Sequence, residues 1–264
     1  MIEFDSVSKT YGPTRAVADV SFTVPDRSTT VLVGSSGSGK STLLGMVNRM
    51  IEPSSGRVLV DGQDVAGVNP VRLRRSIGYV MQSGGLLPHR TILDNICVVP
   101  RLNGATKADA RRRGRELMEV MGLDVSLERR YPAQLSGGQR QRVGVARALA
   151  SDPSILLMDE PFSAVDPIVR RELQAEVRRL QRELGKTILF VTHDIDEAIA
   201  LADDVVILHA GAIAQRGSPA ELLTSPASDF VADFIGLTDG SRQLRLDDGR
   251  LVRDGTGRLL GKLQ

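Results

Sequence analysis

Apolar residues in this chain fall into two patterns that take turns: short unbroken runs and stripes spaced three or four apart. The runs at 30–33, 77–81, 155–158, 186–192 and 205–208 predict strands buried on both faces. Between them lie helical stripes. One is Leu43, Leu44, Val47 and Met50; another is Val143, Ala146 and Leu149. Over 106–121 the spacing predicts an amphipathic helix with Leu117, Val120 and Met121 inward and Arg111, Arg112, Arg113 and Arg115 outward. The longest stripe, Val169, Leu173, Val177, Leu180 and Leu184, follows Asp166 as N-cap and Pro167 in the first turn. Ahead of all this, residues 2–7 and 16–24 read as short strands around Tyr11-Gly12-Pro13, and 57–60 as a strand entering the turn Asp61-Gly62. Residues 83–100 are loop-like, with Gly84, Gly85, Pro88 and Pro100, yet they carry Leu86, Leu87, Ile92 and Ile96. That calls for an apolar cover, either a groove for a partner helix or an internal core contact.

The chemistry gathers where runs end. After the strand at 30–33 comes GSSGSGKST, that is Gly34, Ser35, Ser36, Gly37, Ser38, Gly39, Lys40, Ser41 and Thr42, which fits the phosphate-loop pattern G-x-x-x-x-G-K-[ST]. Glycines there turn backbone N–H groups inward at a helix N-terminus, and Lys40 adds a charge for β- and γ-phosphates. The Ser41 hydroxyl can ligate Mg²⁺. Gln82 closes the strand at 77–81, and Asp159-Glu160 closes the one at 155–158, where Asp159 can hold Mg²⁺ and Glu160 can accept a proton from water. His193 ends the strand at 186–192 at the same edge. A second helix start preceded by glycines, LSGGQ at 135–139, offers the Ser136 hydroxyl and the Gly137 and Gly138 amides to phosphate. Tyr11 has two readings, strand packing or stacking on a base. His89 and His209 receive no role.

Composition narrows the field. The chain has 264 residues and a net charge of +2, which gives no polyanion footprint. Aromatics are 3% with no Trp, so a base-stacking platform for single-stranded nucleic acid is disfavoured. With Glu116 and Glu119 beside it, the arginine run reads as a solvated helix face. No apolar run reaches the roughly 18 residues that span a bilayer, and Met1-Ile2-Glu3-Phe4-Asp5 lacks the features of a signal peptide. The single Cys97 permits no internal disulfide, agrees with a reducing compartment and reads as core packing.

In this order the motifs resemble the ATP-binding subunit of an ABC transporter over about residues 1–236. The resemblance implies an α/β fold: a P-loop NTPase (RecA-like) core, an N-terminal antiparallel β subdomain and an inserted α-helical subdomain at about 87–150. It also implies a head-to-tail homodimer in which LSGGQ of one subunit, from Ser136 to Gln139, closes over the ATP in the other subunit's phosphate loop. Tyr11 would then stack on adenine. Gln82 would sense Mg²⁺ and water and couple to membrane permease subunits docking near residues 83–100. Ser163 to Asp166 would line the dimer contact beside the nucleotide, Glu160 would be the general base, and His193 would hold base, water and phosphate in register. The subunit would sit at the cytoplasmic side of the membrane, served indirectly by a solute-binding protein, with no nucleic acid involved.

Four stretches, NRMIEPSSG at 48–56, MQSGGLLPHRTILDNI at 81–96, DPIVR at 166–170 and DFVADFIG at 229–236, are similar to uptake systems for quaternary amine osmoprotectants such as glycine betaine, choline or carnitine. Ser163 and Val165 depart from the glycine and leucine common in relatives. Residues 237–264 are too short for the paired CBS domains that many such relatives carry, and Asp247-Asp248-Gly249 predicts a hairpin or a disordered tail. Two alternatives remain at this point, an ABC ATPase acting on nucleic acid and a small P-loop kinase or GTPase.

Overall fold

The computed structural model describes residues 1–82, 84–163, 165–238, 244–247, 251–254 and 259–262. Its first two strands, β1 (Ile2–Tyr11) and β2 (Thr14–Val24), form an antiparallel hairpin closed at Tyr11 and Thr14. Next come β3 (Thr29–Val33), α1 (Lys40–Val47), β4 (Ser55–Val60), β5 (Gln63–Asp64), α2 (Pro70–Ser76) and β6 (Ile77–Val80). Between β6 and β7 (Ile155–Asp159) the described elements are all helical: α3 (Ile92–Ile96), α4 (Val98–Leu102), α5 (Lys107–Val120), α6 (Gly137–Leu149) and two short 3-10 turns. The chain continues through α7 (Pro167–Leu184), β8 (Thr187–Thr192), α8 (Ile195–Leu201), β9 (Asp204–His209), β10 (Ala212–Gly217), α9 (Pro219–Thr224) and α10 (Asp229–Phe234). Three short antiparallel strands follow, β11 (Leu244–Asp247), β12 (Leu251–Asp254) and β13 (Leu259–Lys262). The β11–β12 pairing is the hairpin expected at Asp247, although Asp248 and Gly249 lie outside the described residues.

The central sheet runs β10-β9-β3-β8-β7-β6, parallel except for β10. Its strands read as unbroken apolar runs because both faces are covered. Val31, Val33, Leu156, Met158, Ile188, Phe190, Val205 and Ile207 enter the core under the inserted helices, α7 and α8. The residues between them, Leu32, Leu157, Leu189, Val191, Val206 and Leu208, enter a second core with α1 and the antiparallel sheet β2-β1-β4-β5. Strand alternation thus divides one sheet between two cores.

Several expectations need correction. The loop-like stretch at 83–100 contains α3 and α4. Thr91 caps α3 by accepting from the Asp94 amide at 3.2 Å, and the fully buried Asn95 amide bonds Leu87, Arg90 and Thr91 backbone oxygens. Ile92 and Ile96 are fully buried, so for these two the internal core contact is the correct reading. Met50 lies past α1 and is exposed, while Val120 and Leu184 sit at helix ends where the apolar stripe has run off the core. Arg111, Arg112, Arg113 and Arg115 pair with Asp94, Asp109, Glu116 and Glu128 respectively, as a solvated helix face does. Cys97 is buried and donates its thiol to the Ala110 carbonyl at 3.1 Å; burial first, helped by Asp94, pushes that thiol up to about 11.

Phe190 lies at the centre of β8, fully buried, with its ring 5.6 Å from that of Phe162. Phe190→Ala is expected to destabilise the fold by about 3–5 kcal/mol. The check is a lower urea midpoint at unchanged slope; an unshifted midpoint would contradict this placement of the core.

Candidate functional site

Parallel pairing aligns the carboxyl ends of the central strands, with Val33 beside Thr192 and Asp159 beside Val191. The residues that follow each strand therefore share one edge, the crevice where open α/β sheets bind ligands. Gly34 to Gly39 turn from β3 into α1. Gly39 caps that helix at φ 100°, and a Cβ there would stand 2.6 Å from the Ala16 carbonyl oxygen. No side chain caps α1 and its first turn holds no acidic residue, so its open amides and dipole face the crevice. Ser35, Ser36 and Gly37 are exposed, Thr42 is half-buried and Ser38 is buried.

Lys40 is only 5% exposed. Its Nζ donates to the Gly34 and Ser35 carbonyls, both at 2.8 Å, and more distantly to Ser38 Oγ at 3.4 Å. Among the described residues no carboxylate forms an ion pair with it. Burial lowers its pKa from the usual lysine value, opposed at longer range by Glu160 and Asp159.

The two acids at the end of β7 have different neighbours. Ser41 Oγ donates to Asp159 Oδ1 at 2.9 Å, and the Tyr79 hydroxyl approaches Oδ2 at 3.4 Å. Burial first, then the charge of Asp159, pushes the Tyr79 phenol up to about 12. Glu160 instead holds His193 Nδ1 at 3.0 Å and Gln82 Nε2 at 3.4 Å, both on Oε2. Its backbone takes φ +42°, a conformation rare outside glycine; its N–H donates to the Val191 carbonyl at 2.9 Å, and Ser163 Oγ donates to its own carbonyl at 3.0 Å.

Ser136 caps α6 through a reciprocal pair: its Oγ accepts from the Gln139 amide at 3.2 Å, and Gln139 Oε1 accepts from the Ser136 amide at 3.0 Å. Gly138 brings α6 against α7, since a Cβ there would meet Val169 at 2.6 Å. Asp166 caps α7 by accepting from the Ile168 and Val169 amides at 3.2 and 3.1 Å. Among the described residues no hydrogen bond or ion pair joins Ser136 to Gln139 with the loop at 34–42. Tyr11, 48% exposed at the end of β1, has the Lys9 ammonium 5.1 Å from its ring centroid. Ala164 lies outside the described residues, as does Ser83.

The protein-family model "ABC transporter" matches residues 17–163. The glycine betaine uptake system ATP-binding protein YehX of Escherichia coli K12 is 50% identical over 247 residues, covering 93% of this chain and 80% of the relative. The glycine betaine/carnitine/choline transport ATP-binding protein OpuCA of Bacillus subtilis is 50% identical over 237 residues, covering 89% of this chain and 62% of the relative. The chain belongs to the ABC transporter ATP-binding family. A dimeric ATP-binding cassette solved in a post-hydrolysis state with ADP and Pi matches its fold at TM-score 0.76 and 31% identity, over 83% of this chain and all but 1% of that one, at 99% coverage.

Within this ABC subunit the loop amides and Lys40 suit a polyphosphate. Ser41 and Asp159 supply an adjacent hydroxyl and carboxylate, the hard oxygen donors that Mg²⁺ takes alongside phosphates and water. Among the described residues there is no group of three or more His, Cys, Asp or Glu that could hold a metal ion. Two contributors escaped the sequence reading. Tyr79 is a strand residue whose phenol reaches the site only through the pairing of β6 with β7. Behind His193, Glu197 is 4% exposed and accepts from Thr192 Oγ1 at 2.7 Å and Gln174 Nε2 at 3.3 Å, while Arg170 stands 3.5 Å from Asp194 and 3.8 Å from Glu197. The only sequence signal for Glu197 is its place in the first turn of α8, four residues past His193.

Burial, the largest influence, raises the Glu197 carboxyl above its ordinary 4.5 against those hydrogen bonds. A raised pKa means that the folded state holds the proton more tightly, so this stabilisation is present at acid pH and is lost as pH climbs through the shifted value. Relative to Glu197→Gln, the wild-type chain is therefore expected to lose ground as pH climbs above the ordinary 4.5 and through the raised value. Urea midpoints of both proteins at each pH provide the check, and a gap that does not change with pH would contradict it.

Proposed function

We propose that this chain is the ATP-hydrolysing subunit of an ABC importer and works as a head-to-tail homodimer, with the LSGGQ of one copy completing the nucleotide site of the other. The observation that carries this reading is the division of the site: Lys40, Ser41, Gln82, Asp159, Glu160 and His193 gather at one sheet edge, while Ser136 caps a helix with no bond to that loop. Each copy would then hold the half its partner needs. Tyr11 flanks the base, the loop from Gly34 to Thr42 wraps the phosphates, and Ser136, Gly137, Gly138 and Gln139 approach from across the dimer with Asp166 nearby.

Glu160 is the general base. A water oxygen bonds to the γ-phosphorus as the bond to the β–γ bridging oxygen breaks; the water's proton passes to Glu160, and ADP leaves. His193, 3.0 Å from Glu160 Oε2, and Gln82 fix that carboxylate and the water it faces. Lys40 and the LSGGQ donors stabilise charge on the phosphoryl oxygens. Mg²⁺, held by Ser41 and Asp159 with Gln82 beside it, would neutralise phosphate charge when bound.

The partners follow from the subunit's class. Among the described residues no helix is long and apolar enough to cross a membrane, so permease subunits would supply the pathway and dock near residues 83–100 from the membrane's cytoplasmic side. Pro88, His89 and Arg90 stand exposed there. A solute-binding protein would deliver the cargo, and quaternary amines such as glycine betaine, choline or carnitine are the class we propose, because relatives at about half identity carry those solutes in their names.

Glu160→Gln is expected to bind ATP, to elute as a dimer with ATP and to turn over about 10²–10⁴-fold more slowly. Gel filtration with and without ATP, alongside phosphate release, measures both; undiminished turnover would remove Glu160 from the role of base.

A further inference from the structure

Two residues past Gln82 the chain makes a tight turn whose carbonyls meet α6. Gly84 and Gly85 have φ of +72° and +55°, conformations that most side chains avoid. The guanidinium of Arg147, on the C-terminal half of α6, donates to the Gly85 carbonyl at 2.6 Å and to the Gly84 carbonyl at 2.8 Å. Contact between turn and helix is close as well. A Cβ at Gly144 would lie 3.4 Å from the Gly84 Cα and oxygen, and a Cβ at Gly84 would lie 3.4 Å from the Arg140 carbonyl oxygen. Burial lowers the pKa of Arg147, and among the described residues no carboxylate pairs with it. A half-buried cation has thus been placed on two successive backbone oxygens, and its planar fork presents a separate N–H to each in a fixed geometry.

Gln82 follows Met81, whose carbonyl accepts from the Gly84 N–H at 2.9 Å, and Ser136 caps the helix to which Gly84 and Gly85 are tied. Arg147 lies eleven positions past Ser136, roughly 16 Å along the helix at about 1.5 Å per residue. We propose that Arg147 is a positioning residue that makes the Gln82 turn and the signature helix a single mechanical unit. What Gln82 meets at its own γ-phosphate then sets where Ser136 is presented to the partner's nucleotide. The proposal rests on the composite-dimer reading above and adds a route by which one site informs the other. Arg147 itself touches no nucleotide in this scheme. Its effect runs through the turn and α6.

The test uses the Glu160→Gln chain as parent, with Arg147→Met and Arg147→Lys added singly. Arg147→Met is expected to need at least tenfold more ATP for half-maximal dimerisation, while ATP affinity measured at monomeric dilution stays within twofold of the parent. Arg147→Lys, with a charge but no fork, should fall between them. Arg147→Met should add nothing further in a Gln82→Ala background, a non-additivity that a merely structural residue would not produce. Equal dimerisation of the parent and Arg147→Met, or a fully additive double variant, overturns the role of Arg147. A parent that binds ATP without dimerising would instead defeat the composite-dimer reading, and this proposal with it.

Discussion

An ammonium group buried beneath its own loop is the constraint on which the rest of this molecule turns. Lys40 lies at the first position of α1, where the helix dipole is already positive, and its charge is answered by the carbonyls of Gly34 and Ser35. Such an arrangement stands only if the surrounding backbone is fixed, and here it is. β3 is buried on both faces, Gly39 is pressed against the Ala16 carbonyl, and the antiparallel sheet closes over α1. The loop is a cationic cradle held open by packing, and a triphosphate can displace carbonyl contacts with stronger ones to phosphate oxygens.

Around that cradle the fold separates two carboxylates that are adjacent in sequence. Asp159 is the last residue of β7 and points into the Ser41 and Tyr79 hydroxyls; Glu160 leaves the strand at positive φ and meets His193 and Gln82. A regular strand would send neighbouring side chains to opposite faces. The left-handed backbone at Glu160, held by Val191 and Ser163, keeps both acids at the crevice with separate partners. The strain is local and its neighbours over-determine it, as expected at a site whose geometry serves chemistry. At the start of α6 the Ser136 cap is complete within the helix, and Gly138 lies against Val169 of α7.

Much of this was legible in the residues. Strands buried on both faces write themselves as apolar runs, so β3, β6, β7, β8 and β9 were visible, and the site residues at their ends came with them. Local chemistry also spoke plainly at Asp166-Pro167, which starts α7 where expected. What escaped depends on tertiary approach. α3 and α4 are too short for a periodic signal, and α3 is fixed by Asn95, whose amide bonds are invisible in sequence. Met50, Val120 and Leu184 keep the helical spacing but lie where the helix has ended or the core has stopped. Tyr79 and Arg147 hydrogen-bond to partners about 60 to 80 residues away in the chain, a separation no spacing rule spans.

Complementation between two crippled copies tests the composite site most directly. Lys40→Ala lacks the cradle and Ser136→Arg blocks the closing helix, so each homodimer carries the same defect in both sites. Mixed in equal amounts, they form heterodimers in which one site inherits both lesions and the other inherits neither. ATP turnover of the mixture is expected to rise well above that of either chain alone. A mixture no more active than its separate components would contradict the claim that two copies share each nucleotide.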